Sequence, residues 1–239
     1  MRAIFLSLAL LPLTASAAAN PEPEWGAPID PDKVGKFTFG KGSVTIEVPA
    51  GVHLLSTQDK KKFNAPRLLR SAKGDFDVQV RVRGEFRPSP RKPYKHGNAA
   101  GALLVVGGGK SPRVLRVLLH GTHNGEETGP FHYVVGSGGG GPTVSAFFPR
   151  DAHRVVKGRG GKEEWEGYLK VERRGDELRA YISPDGQKWS APGEGRKKGA
   201  ALYKIAGDAR VGVAAMSLSA EKFKVTFDQF KLTPLKAGK

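Results

Sequence analysis

Residues 167–189, GYLKVERRGDELRAYISPDGQKW, constrain the fold of this chain more than any other stretch. Leu169 and Val171 alternate with Lys170 and Glu172. After Arg174-Gly175-Asp176, Leu178, Ala180 and Ile182 alternate with Arg179 and Tyr181. A helix repeats its apolar face about every 3.6 residues and a strand every second residue, so this pattern predicts a β-hairpin with one face buried. Ser183-Pro184-Asp185-Gly186 predicts a tight turn, because Pro presets φ and Gly tolerates positive φ. Trp189 follows that turn, where a large ring can fold back as a core plug.

The same period recurs along the chain. In residues 75–83, Phe76, Val78, Val80 and Val82 point one way and Asp77, Gln79, Arg81 and Arg83 the other. Residues 99–106 are almost continuously apolar, which predicts a central strand covered on both faces. Phe223, Val225 and Phe227 alternate, then the phase shifts to Phe230 and Leu232, predicting a bulge near Asp228-Gln229. Further short strands are expected at 37–39, 43–48, 113–120, 131–135, 143–148 and 210–218. Loops are expected at 87–97, 120–130, 151–166 and 194–198, and no amphipathic helix longer than two turns is readable. The fold class that follows is all-β: a two-sheet antiparallel β-sandwich, jelly-roll-like. Its core should include Phe76, Val78, Val80, Leu169, Val171, Leu178, Ile182, Phe223, Val225 and Phe227.

Met1-Arg2, the apolar run over residues 3–13 and Ala15-Ser16-Ala17 have the order of a secretory signal peptide, with cleavage expected after Ala17 or Ala19. No other apolar run approaches the roughly 20 residues that span a bilayer. The expected organisation is a signal peptide at 1–19, an extended arm at 20–35, a sandwich at 36–234 and a basic tail at 235–239. The expected location is outside the cytoplasm, periplasmic or secreted. The sequence has no Cys, so an exported chain must draw its stability from its core. Its formal charge is +16, or +15 once Arg2 leaves with the leader. Such a surface attracts polyanions, and export favours an acidic or sulfated polysaccharide over nucleic acid. The basic residues are spread along the chain, which equally suits plain solubility.

The hairpin, together with Val44-Thr-Ile-Glu-Val-Pro49, Asn64-Ala-Pro-Arg-Leu-Leu69 followed by Gly74-Asp-Phe-Asp-Val-Gln-Val80, and Gly212-Val-Ala-Ala-Met-Ser217 preceding Val225-Thr-Phe-Asp-Gln-Phe230, resembles the concanavalin A-like (laminin G-like) family of exported bacterial proteins. That family is related to the C-terminal accessory β-sandwich of β-xylosidases. The resemblance spans roughly residues 37–233. It implies a jelly-roll-like sandwich with a concave face and sugar binding, and carries over no catalytic residue.

Candidate chemistry is sparse. Glycoside hydrolysis needs two facing carboxylates, and the Glu-x-Asp-x-x-Glu strand pattern of glucanases in this superfamily is absent. The acidic clusters Glu163-Glu164-Trp165-Glu166 and Glu126-Glu127 fall in polar stretches that read first as solvated loops. His120-x-x-His123 lacks the third and fourth ligands of a zinc site. Gly138 to Gly141 lacks the Gly-Lys-Ser/Thr ending of a phosphate loop and reads as a turn. Asp185 stands without acidic neighbours, so calcium there is unsupported; calcium on Asp75, Asp77 or Asp228 at a sandwich rim stays open. No cofactor is expected.

What remains is an outward row of Gln79, Arg81, Arg83, Lys170, Glu172, Arg179 and Tyr181. Guanidiniums receive carboxylates and sulfates in pairs of hydrogen bonds, and a Tyr ring offers a stacking face. The sequence reading is therefore a non-catalytic, exported sandwich binding carbohydrate or another anionic surface polymer. Its site residues would be Arg81, Arg83, Glu172, Arg179 and Tyr181, with Trp165 at a rim. Two alternatives stand beside it: a glycosidase or polysaccharide lyase using Glu163, Glu164 or Glu166, and a structural envelope protein with a protein partner.

Overall fold

Phe76, Val78, Val80 and Val82 are buried while the residues between them are only partly so, as expected of a strand with one face on a core. The computed structural model describes residues 22–59, 62–107, 113–123, 127–138, 143–148, 153–158, 161–193 and 203–235. The expected signal peptide, the loop at 194–198, residues 139–141, Glu126 and the tail beyond 235 lie outside the described residues.

Two antiparallel sheets pack into a sandwich. The first has the order β1 (Ala27–Ile29), β5 (Arg67–Ala72), β15 (Ala209–Ser219), β7 (Gly97–Gly107), β8 (Arg113–His123), β9 (Glu127–Gly138) and β10 (Val144–Phe147). β4 (Gly51–His53) also pairs with β15. The second has the order β14 (Tyr203–Lys204), β13 (Glu177–Ser183), β12 (Glu163–Arg174), β6 (Phe76–Gly84), β16 (Phe223–Pro234), β3 (Ser43–Val48) and β2 (Lys36–Gly40). β11 (Arg154–Lys157) pairs with the start of β12.

The inner faces meet in one apolar core. Val44, Ile46, Val80, Val82, Leu169, Val171, Ile182, Val225 and Phe227 come from the second sheet, and Leu103, Val105, Val117, Leu119, Val211 and Val213 from the first. β7 lies between β15 and β8 and is buried on both faces, as its unbroken apolar run predicts. Its outward side chains, Ala100, Ala102, Leu104 and Val106, join a second cluster under Leu55, Phe63 and Ala65 of the β4–β5 segment. Arg116 and Arg67 pin that segment by donating to the carbonyls of Leu55 and Ala65.

Three sequence readings are revised. Residues 151–166 were expected as a loop, yet β11 pairs in register with Glu163–Glu166 of β12. Weak alternation in exposed, charged residues hides an edge strand whose backbone, not its side chains, makes the sheet. Residues 20–35, expected as an extended arm or irregular edge, do supply an edge strand, β1, which pairs with β5, but they also contain the helical turn Glu22–Trp25, whose Trp25 is buried against Phe230. Trp189 is not a core plug. It is half-buried on the outer face of the second sheet, because the turn before it is short and folds toward that face.

Candidate functional site

Alternation that sends Val80, Leu169 and Ile182 inward sends their neighbours to the outer face of the second sheet. Register then places them in cross-strand rows. Asp228, Arg81, Tyr168 and Ser183 form one row across β16, β6, β12 and β13. Lys231, Gln79, Lys170 and Tyr181 form the next, and Thr233, Asp77, Glu172 and Arg179 the one beyond. On the other side of the first row stand Thr226, Arg83, Glu166 and Arg154.

These side chains are recessed. The exposures are 24% for Arg81, 18% for Asp228, 5% for Glu166, 16% for Lys170 and 18% for Glu172. Charged groups on an open sheet face would be far more solvated. Two walls account for the difference. Arg154 of β11 covers Glu166 from one side, donating to Oε1 at 2.6 Å. On the other side the turn after β13 leans over Tyr168, so closely that a Cβ on Gly186 would come within 3.0 Å of the Tyr168 ring. Gly186 also has φ +75°, a conformation that Gly adopts without strain.

That turn is held by its own side chains. Asp185 accepts from the Gln187 and Lys188 amides at 2.8 and 3.0 Å and from the Ser183 hydroxyl at 2.9 Å. Those bonds to the ionised carboxylate, first the one from Lys188, pull its pKa down to about 2. The turn delivers Trp189 to Lys170. The Lys170 ammonium lies 4.7 Å from the centroids of both Tyr181 and Trp189 and donates to Glu172 at 2.9 Å. Burial first, and the adjacent Glu172 second, push the Tyr181 phenol pKa up.

The arginines of the face are matched by acids. Arg81 grips Asp228 through Nε and Nη2 at 2.6 and 2.7 Å, and this hydrogen bonding raises its pKa above the ordinary arginine value. Arg83 pairs with Glu164 at 3.2 Å, Arg174 with Asp77 at 2.8 Å and Arg179 with Glu177 at 3.6 Å. Arg81, Arg83, Glu172, Arg179 and Tyr181 thus share one face as the alternation predicts. That face is charge-balanced rather than basic.

Trp165 does not stand at a rim. It lies one residue out of phase with Glu164 and Glu166, so it points into the core, with Arg87 stacked 4.6 Å over its ring. Glu163 is exposed and paired with Arg87. Tyr168, Arg154 and Trp189 also lie on this face, which sequence reasoning did not assign them to, and Asp228, considered there only as a calcium ligand, is engaged by Arg81. The phase shift at Asp228 was the available signal: the β6–β16 register shifts between Asp228 and Lys231, and Gln229 has φ +51°.

Other candidates disperse. Asp75 accepts from the Gly175 amide, and among the described residues no group of three or more His, Asp or Glu is placed to hold a metal ion. His120 packs edge-on against Phe131 and is partly buried, and the desolvation of its ring lowers its pKa to about 4. Among the described residues no helix is long and apolar enough to cross a membrane.

No protein-family model matches the sequence, and no curated protein matches it significantly. Solved structures do resemble it. A functionally unknown protein from Saccharomyces cerevisiae aligns over 90% of this chain and 98% of its own, with a TM-score of 0.57 and 16% identity. A variant of the GH43 protein BlXynB from Bacillus licheniformis aligns at a TM-score of 0.49 and 16% identity, over 84% of this chain and 38% of its own. An alginate lyase from Klebsiella pneumoniae aligns at a TM-score of 0.49 and 10% identity, over 82% and 83% of the two chains. At these identities the likeness is one of fold.

Proposed function

We propose that this protein is a non-catalytic, exported β-sandwich that binds carbohydrate on the outer face of its second sheet. The observation that carries the reading is the convergence of Tyr181 and Trp189 on Lys170, beside a recessed row of hydrogen-bonding side chains. Aromatic rings offer flat apolar faces to the C–H face of a sugar, and the fixed polar row offers partners to its hydroxyls.

The pairing of the face favours a neutral glycan over a polyanion. An incoming sulfate would have to compete with Asp228 for Arg81, with Glu164 for Arg83 and with Glu177 for Arg179. The same pairing counts against the glycosidase alternative. Asp228 and Glu166, the two carboxylates that flank Arg81, are already engaged by guanidiniums. Export rests on the leader-like order of residues 1–19.

Glycan-array binding at low salt and at about 1 M, where the Debye length falls to about 3 Å, tests the reading. A neutral glycan should bind at both, and Trp189→Ala should weaken it by about tenfold or more. Binding confined to sulfated or uronate glycans and lost at high salt would instead return the site to the polyanion reading.

A further inference from the structure

We propose that Arg81 and Glu166 form a hydroxyl-reading subsite, which selects an unsubstituted sugar hydroxyl and sets the glycan along β12. The inference rests on the carbohydrate reading above. Arg81 commits Nε and Nη2 to Asp228. Glu166 commits Oε1 to Arg154. The remaining pair, Arg81 Nη1 and Glu166 Oε2, stand 3.9 Å apart, beyond hydrogen-bond reach. A donor and an acceptor therefore face each other across a gap, Arg81 held by Asp228 and Glu166 by Arg154.

One oxygen about 2.8 Å from both atoms closes that gap. It must accept from Arg81 and donate to Glu166. A sugar hydroxyl does both, whereas an ether, ester or sulfate oxygen cannot donate. A sulfate would also bring its charge against Glu166 and Asp228. Glu166 is thus the specificity-determining residue, and Asp228 and Arg154 position the two atoms.

A second observation marks the same place. Asp228 borders a register shift, and Gln229 takes a positive φ that costs free energy in any residue but Gly. Bulges of this kind re-aim side chains, and retained backbone strain clusters at functional sites. Here the bulge lies beside the carboxylate that orients Arg81.

The two subsites also set the ligand's length. Glu166 and Lys170 are four residues apart on β12, about 13 Å at about 3.3 Å per residue. Tyr168 lies between them. A single sugar ring cannot reach both ends, so the ligand class is a neutral oligosaccharide or polysaccharide with free hydroxyls.

The test uses xylohexaose, cellohexaose, laminarihexaose and mannohexaose, each beside its O-methylated form, with the full mature chain. Wild type should bind at least one free hexaose about tenfold or more tighter than its methylated form. In Glu166→Gln, Arg154 holds the amide carbonyl and turns the amide N–H groups toward the gap, which removes the acceptor. Discrimination should then fall to about twofold or less. Arg81→Lys keeps a charge beside Asp228 but withdraws Nη1, and should give the same loss if Glu166→Gln fails to fold. Undiminished discrimination in both variants, with binding still lost in Trp189→Ala, overturns the subsite and leaves the carbohydrate reading standing. No binding of any hexaose by wild type overturns both.

Discussion

His132 gives the sharpest quantitative expectation. Its ring is fully buried on the inner face of β9, 6.5 Å from Phe148 and 5.8 Å from His153, and neither nitrogen has a hydrogen-bond partner among the described residues. Burial first, and His153 second, press its pKa down to about 3 from 6.5. Unfolded chains bind the proton near pH 6.5, and the folded chain does not. Stability is therefore complete above about pH 6.5 and declines as pH falls toward about 3, by about 1.4 kcal/mol per unit well inside that window. From pH 8 to pH 5 the loss from His132 alone is about 2 kcal/mol. That figure hardly depends on the folded pKa so long as it is about 4 or lower, because at pH 5 the folded imidazole is then almost wholly neutral. His132→Leu removes the titration and replaces an unpaired polar ring with an apolar side chain. Urea unfolding of both proteins at pH 8 and pH 5 measures the effect; titrating groups remote from His132 cancel in the difference, and carrying both proteins in a His153→Gln background removes the one coupled to it. The variant should lose about 2 kcal/mol less than wild type between the two pH values. An identical pH dependence would refute the buried, neutral assignment.

Three further outcomes follow from packing. Val80→Asp places a carboxylate at a site with no solvent exposure and should unfold the sandwich, read as loss of a cooperative thermal transition. Gly121→Ala would set a Cβ 1.8 Å from the Phe86 carbonyl oxygen, so backbone must move. A loss of more than about 2 kcal/mol is expected, and a neutral effect would contradict the close approach of β8 to that segment. Trp189→Ala should leave the melting temperature within a few degrees of wild type while glycan binding falls, since the ring is only half-buried. A large drop in melting temperature would make it a core residue after all.

Core strands were legible because burial leaves its period in the sequence. The expected apolar residues of β6, β12, β13 and β16 are buried, apart from Leu232, which is partly so, and the phase shift at Asp228 does mark a register shift. β11 was not legible. An edge strand with one exposed side carries little alternation, and its partner decides whether it forms. Trp165 was misplaced because the phase of β12 before Gly167 was read as loop, which left the side of each residue undetermined.

The sequence by itself determined an all-β chain, the inward set of each central strand and, by subtraction, which polar residues share the outer face. It also determined the sum of charges, but a sum carries no pairing. Whether that face is basic or balanced depends on Asp228 meeting Arg81 from 147 residues away and on Glu164 meeting Arg83 from the next strand. The course of the Ser183–Trp189 turn is likewise decided outside its own residues, by the room that Tyr168 leaves above Gly186. Period and composition are local properties, whereas cross-strand register is set only when the whole sheet assembles, so the character of the site was left to the tertiary structure.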